Sequence, residues 1–171
     1  MGSKFIPVNI AILTISDTRS LENDTSGDIL EDKITIDGHH VCKREIVTDD
    51  KYQIRAKISQ WLIADNIDVI ITTGGTGLTG RDGTPEAVSV LFDKTIDGFG
   101  ELFRARSFEV IRTSTVQSRA IAGLANGKFI FCLPGSKGAC ITGWDDILHD
   151  QLNSTHQPCN FIDLMPRLLE N

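Results

Sequence analysis

The chain has 171 residues, 40% of them hydrophobic, and a formal net charge of −6 at pH 7. That is enough for one well-cored domain. The acidic balance excludes broad binding to nucleic acid or an anionic membrane surface, which needs basic stripes, and the lack of a long apolar run or secretory pattern makes the cytoplasm the expected location.

Residues 8–15 read as a first strand. Asp24-Thr25-Ser26-Gly27 starts a helix that runs to about Asp37 and stops at Gly38. Residues 41–47 read as a second strand with a charged centre. From Lys51, the positions Ile54, Ile58, Trp61 and Leu62 fall on one helical face. Residues 68–73 form a third strand, whose unbroken apolar run suits a sheet covered on both sides. A glycine-rich loop follows, after which Thr84 as N-cap and Pro85 as first helical residue open a helix carrying Ala87, Val90 and Leu91. Phe99, Leu102, Phe103 and Arg106 mark another helix, with Gly98 and Gly100 at its start. Residues 129–133 read as a further buried strand. Pro134-Gly135-Ser136-Lys137-Gly138 comes next, then a helix with Cys140, Trp144, Ile147 and Leu148 on one side. After Gln151 the chain reads as irregular, with Pro158 and Pro166.

Strands alternating with helices predict an α/β fold with parallel pairing and right-handed crossovers. In such sheets the loops at the carboxyl ends of the strands meet at one crevice. The loop after Ile15, the segment 48–50, the glycine loop 74–84 and the turn 134–138 are therefore expected to converge.

The glycine loop carries the strongest chemical signal. Strand, flexible loop and helix start together present bare backbone N–H groups to a phosphate, and Asp82 stands ready to share a divalent cation with it. Gly75-Thr-Gly77-Leu-Thr-Gly80 formally matches a dinucleotide fingerprint, but it follows the third strand, and Pro85 delays the helix until after all the glycines. Read as a P-loop, the segment puts Arg81-Asp82 where Lys and Ser or Thr are required. A plain structural turn is the alternative, although four glycines in the seven positions from Gly74 to Gly80 exceed what a connection needs. Asp49 and Asp50 are readable either as N-caps of the helix that follows or as functional acids.

Cys42, Cys132, Cys140 and Cys159 are scattered, with no C-x-x-C spacing, which favours free thiols, buried and inert at Cys132 and Cys140, over disulfides or a zinc site. His39, His40, His149 and His156 show no metal-ligand spacing and are expected to be solvated or locally hydrogen-bonded.

Thr73-Gly-Gly-Thr-Gly-Leu-Thr-Gly-Arg-Asp82-Gly-Thr-Pro-Glu-Ala87 resembles the signature of the molybdopterin-binding domain family of molybdenum cofactor biosynthesis. The similarity covers nearly the whole chain, through Ile12-Leu-Thr-Ile-Ser16-Asp17, Asp24-Thr-Ser-Gly27, Gly98-Phe-Gly-Glu101, Gln117-Ser-Arg-Ala120 and Leu133-Pro-Gly-Ser136. The short length and the ending Pro158-Cys-Asn-Phe161 resemble the family's B branch. The resemblance implies a three-layer α/β/α single domain with a mostly parallel central sheet, spanning residues 1–171, its core at 8–152 and an irregular tail at 153–171. It also implies a homo-oligomer, trimer or hexamer, that binds molybdopterin, with other enzymes of the pathway as further partners and neither nucleic acid nor membrane.

In active members of the family, magnesium and ATP serve to adenylylate the terminal phosphate of molybdopterin. The resemblance implies that Asp82 and Asp49 are the catalytic, magnesium-binding acids. Gly74, Gly75, Thr76, Gly77, Thr84, Pro134, Gly135, Ser136, Lys137, Ser16 and Ser26 are then the substrate- and phosphate-binding residues. Arg81 and Arg119 are candidates for charge contact, with a solvated arginine as the alternative for each. Gly83 departs from the Val or Leu common in the family, and Lys137 from its Pro. A non-catalytic carrier of molybdopterin is the alternative function.

Overall fold

Four of the strands expected from the sequence become the parallel heart of a sheet in the computed structural model, which describes residues 4–170. They are β1 (Asn9–Ile15), β2 (His40–Val47), β3 (Val69–Thr73) and β6 (Lys128–Leu133). With β4 (Lys94–Thr95) and β5 (Ile121–Ala125) they form six strands in the order β2-β1-β3-β6-β5-β4. Residues 1–3 and 171, included in the domain span read from the sequence, lie outside the described residues.

The period-two alternation of a strand sorts side chains into two cores. Ile10 and Ile12 of β1, Val69 and Ile71 of β3, and Phe129, Phe131 and Leu133 of β6 face one side. There they meet Leu30 and Ile34 of α1 (Thr25–Ile36), Phe99 and Phe103 of α4 (Asp97–Ile111) and Cys140 of α5 (Lys137–Gly143). Ala11, Leu13, Ile15, Ile70, Ile130 and Cys132 face the other, against Ile54, Ile58, Trp61 and Leu62 of α2 (Lys51–Leu62) and Ala87 and Val88 of α3 (Thr84–Val88). The result is the three-layer α/β/α arrangement. Each fully buried aliphatic side chain contributes roughly 1.5–3 kcal/mol, so both faces of the central strands hold the layers together. None of the described helices is long and apolar enough to cross a membrane.

Three local features depart from the sequence reading. The first is the pair of antiparallel strands. β5 pairs antiparallel with β6, and β4 antiparallel with β5. The turn between β5 and β6 is Asn126-Gly127, both at positive φ (46° and 70°), which is the two-residue signature of a twisted hairpin. Small residues in β5 (Ala122, Gly123, Ala125) hide its strand character. Second, the tail is not featureless: residues Ile162–Arg167 form a 3₁₀ turn, and Phe161 lies on Phe129 with ring centroids 4.7 Å apart, covering the end of a core that would otherwise face water. Third, α5 continues through a π-helical turn (Trp144–Leu148) into α6 (His149–Gln151). Trp144 Nε1 there donates to Asp37 Oδ2 at 2.7 Å, tying this run to the end of α1.

Candidate functional site

At the carboxyl ends of β1, β3 and β6 the chain opens into a crevice of about 620 Å³, a size typical of small-molecule sites. Ser16 and Asp17, Asp49, residues 74–77 with Asp82, and Pro134, Gly135 and Ser136 all line it, one group from each of the four loops expected to meet.

The floor is backbone. Gly74 has φ +106°, and a Cβ there would lie 2.2 Å from the Ile15 carbonyl oxygen, so only glycine allows the loop to leave β3 against the end of β1. Gly74 N donates to Leu133 O at 3.0 Å, and Thr73 Oγ1 donates to Pro134 O at 3.2 Å. Ser26 donates its hydroxyl to Gly135 O at 2.8 Å. It is buried behind the turn and positions it without lining the crevice. Ser136 is the N-cap of α5, its Oγ accepting from Ala139 N at 3.1 Å.

The two acids differ in setting. Asp82 Oδ2 accepts from Thr79 N (2.9 Å) and Thr79 Oγ1 (2.6 Å), and these bonds hold the carboxyl below its usual range. Gly77 is glycine because a Cβ would fall 2.6 Å from that same Oδ2. Asp49 is half-buried and accepts from Gly83 N at 3.3 Å. Burial pushes its carboxyl up, and the charges of Asp82 and Asp17 push it further. Asp50 caps α2 through Tyr52 N and Gln53 N, so the adjacent pair divides its work: Asp50 caps and Asp49 faces the crevice.

Among the described residues no group of three or more His, Cys, Asp or Glu side chains is placed to hold a metal ion. Asp49, whose proton affinity the charge of Asp82 raises, and Asp82 together nevertheless suit a cation whose remaining ligands are water and substrate phosphate. That is the manner in which magnesium is bound, so the residues present fit such an ion and do not form an all-protein cage.

Several candidates take other roles. Thr84 is the first residue of α3 and not its cap, which is Gly83. Its Oγ1 is drawn away to donate to Gly74 O at 2.9 Å, fastening the two ends of the glycine loop. Lys137 is exposed and outside the crevice lining. Arg81 makes a two-pronged contact with Asp17 (Nε to Oδ2 2.9 Å, Nη2 to Oδ1 2.7 Å). Asp17 in turn accepts from Asp49 N at 3.0 Å, so one carboxylate joins three loops. Arg119 donates to Thr76 O (3.2 Å), Gly77 O (2.9 Å) and Asp82 O (2.8 Å) and pairs with Glu86. It holds the loop in shape rather than lining the crevice.

One wall escaped the sequence reading. Phe103, Ser107, Val110 and Ile111 of α4, continued by Ser114, Gln117 and Ser118, form an apolar surface dotted with hydroxyls. Positions 103, 107, 110 and 111 follow helical spacing on one face of α4, a signal masked by the serine within it.

The residues 11–154 match the sequence profile of the family described as "Probable molybdopterin binding domain". The chain belongs to this molybdopterin-binding domain family. It is 51% identical over 161 residues to molybdenum cofactor biosynthesis protein B of Escherichia coli K12, covering 94% of this chain and 95% of that one. It is 49% identical over 133 residues to the Bacillus cereus protein of the same name, covering 77% and 79%. Family members of known structure share the fold. A crystal structure of molybdenum cofactor biosynthesis protein B superposes with a TM-score of 0.84 at 44% identity, over 86% of this chain and 92% of that one. The tungsten cofactor synthesizing protein MoaB of Pyrococcus furiosus superposes with a TM-score of 0.75 at 37% identity, over 84% and 92%.

Proposed function

We propose that the protein acts in molybdenum cofactor biosynthesis, binding molybdopterin and, with magnesium and ATP, adenylylating its terminal phosphate. One observation carries this reading: two carboxylates of opposite proton affinity, Asp49 and Asp82, border a crevice floored by the backbone of residues 74–77 and walled by Phe103, Val110 and Ile111. A polyanion end and a ring-accepting wall share one cavity. The names of the relatives give the pathway.

The chemistry asks little covalent help. A terminal phosphate oxygen of the pterin forms a bond to the α-phosphorus of ATP, and the bond from that phosphorus to the bridging oxygen breaks, pyrophosphate leaving with the electron pair. Alignment and charge neutralisation dominate such transfers. The loop amides of Gly74, Gly75 and Thr76 would hold one phosphate, and Ser136 with the start of α5 another. Asp49 and Asp82 would hold a magnesium ion, which when bound offsets the negative charge of the meeting phosphates. Arg81, already engaged by Asp17, and Arg119, engaged by the loop, act here by fixing loops. Self-association into a trimer or hexamer belongs to the same reading, supported by apolar residues left outside at the end of α4 and beyond it: Val110 is 75% and Val116 81% exposed.

Purified protein mixed with molybdopterin, magnesium and ATP should yield the adenylylated pterin, detected by mass, together with pyrophosphate. Asp82→Ala should lower the rate at least about a hundredfold, as expected when one charge-organising group of the transition state is lost, and spare much of the pterin binding. A variant that turns over like the wild type would refute the assigned role of Asp82. Tight pterin binding by the wild type with no pyrophosphate released would make the protein a carrier.

A further inference from the structure

We infer that Arg44, a side chain of the edge strand β2 that lies outside the crevice, is a positioning residue for its phosphate end: it clamps the first turn of α1, and Ser26 in that turn aims the peptide between Gly135 and Ser136. The inference rests on the reading that the 134–136 turn holds a phosphate group, and adds to it what sets the turn's orientation.

Arg44 meets three acids of the α1 segment at once. Its Nη1 donates to Glu31 Oε2 at 2.6 Å, and its Nη2 reaches Asp28 Oδ1 at 2.7 Å, Asp24 O at 3.0 Å and Asp24 Oδ2 at 3.2 Å. Asp24 is buried and accepts in addition from Thr14 Oγ1 of β1 at 2.7 Å and from Gly27 N at 3.0 Å. The start of α1 is therefore fixed against two neighbouring strands through one carboxylate. The fit is close: a Cβ on Gly27 would lie 2.1 Å from Asp24 Oδ2 and 2.8 Å from Arg44 Nη2. Apolar contacts such as those of Leu30 and Ile34 with the sheet hold α1 down without fixing its position along the strands. The planar, forked guanidinium supplies that direction. Arg44 itself does not line the crevice.

The clamp reaches the site through one hydroxyl. Three successive carbonyls lead into the turn, and each is held: Leu133 O by Gly74 N at 3.0 Å, Pro134 O by Thr73 Oγ1 at 3.2 Å and Gly135 O by Ser26 Oγ at 2.8 Å. The first two donors stand at the end of β3, and the third stands on α1. The peptide joining Gly135 and Ser136 is trans, so its C=O and N–H point in opposite directions. Holding the carbonyl toward α1 turns Ser136 N–H the other way. Gly135 and Ser136 line the crevice and Ser26 does not, so the N–H lies on the crevice side. A shift of α1 would swing this donor while leaving the two carbonyls tied to β3 in place.

A double-mutant cycle with Arg44→Met and Ser26→Ala tests the coupling. Each single change should lower the rate of pyrophosphate release at subsaturating molybdopterin about three- to tenfold, the size of one neutral hydrogen bond. The double variant should be no slower than Ser26→Ala alone, because both changes break the same link. A second readout needs no turnover: the ¹⁵N amide resonance of Ser136 in the ligand-free protein should move in the same direction in both single variants. Should Arg44→Met not fold, Arg44→Lys, which keeps the charge but cannot fork across three carboxylates, is read by the same resonance. A lowered thermal midpoint with the Ser136 resonance unmoved overturns the inference, since Arg44 then only stabilises the fold. Additive losses in the cycle also overturn it, because Arg44 then acts by another route than Ser26. A wild-type protein that releases no pyrophosphate overturns the adenylylation reading alone, and the resonance still decides whether Arg44 sets the turn.

Discussion

Replacing Arg119 with alanine tests how the glycine loop keeps its shape. The guanidinium reaches three carbonyls, those of Thr76, Gly77 and Asp82, spanning both arms of the loop. A hydrogen bond to a charged group is worth roughly 1.5–3 kcal/mol, so three independent ones would approach about 5–9 kcal/mol. The side chain keeps 26% exposure, and carbonyls released in Arg119→Ala would find water. A net loss of about 2–3 kcal/mol is therefore expected, concentrated in the loop rather than in the sheet. That is a factor of about 30–150 in the opening equilibrium. Hydrogen exchange across residues 74–84, measured by mass spectrometry, should accelerate by this factor, while peptides from β1 and β3 change little. Arg119→Lys should resemble the alanine variant, since one ammonium cannot fork across three carbonyls. Exchange in the loop that matched the wild type would refute the reasoning: the glycines and the Thr84 and Asp82 bonds would then suffice.

Gly77→Ala should behave as a positional copy of an active-site lesion. Its Cβ would sit 2.6 Å from Asp82 Oδ2, displacing the carboxylate, and adenylylation should fall about a hundredfold with a thermal midpoint close to that of the wild type. His39 supplies a pH dependence. It is buried, its Nδ1 accepts from Val8 N at 3.2 Å, and burial lowers its pKa from the ordinary 6.5. The unfolded chain binds that proton more readily, so the stability is fully present above about pH 6.5 and is lost as pH falls below it. His39→Asn should flatten the acid side of a plot of urea midpoint against pH. His149, raised by its bond to Asp37, has the opposite sign and loses its contribution as pH rises. Comparison in a His149→Ala background therefore isolates His39. Finally, if the chain self-associates as proposed, Val110→Asp combined with Val116→Asp should lower the mass seen by light scattering. An unchanged mass would refute the assignment of Val110 and Val116 to such a contact.

Much of the fold could be read directly because β3 and β6 are mostly apolar runs that end at glycine and proline. Ile70, Ile71, Gly74 and Asp82 announce strand, turn and acid in succession, and Asp24 and Asp50 cap the helices they precede. What stayed hidden has physical causes. Three of the five residues of β5 are alanine or glycine, with Gly123 fitting beneath Phe92, and its hairpin turn is marked in the sequence by the Asn126-Gly127 pair. The α4 wall mixes serine with valine and isoleucine, so no continuous apolar stripe marks it in the sequence. Arg119 is distant in sequence from the loop it grips, and nothing local to Gln117-Ser-Arg-Ala120 says which carbonyls its guanidinium will find. Thr84 was placed at the helix start by residue type, whereas its hydroxyl is claimed by Gly74 across the loop.

The close approach of Gly135 to Gly74, where a Cβ on the former would stand 3.1 Å from the Cα of the latter, has an evolutionary corollary. A floor made of main chain has no side chain to exchange, so point substitution has almost nothing there to retune. Descendants of this scaffold would keep their grip on the charged end of a ligand and drift in what they accept at the other, through changes confined to α4 and the turn after it.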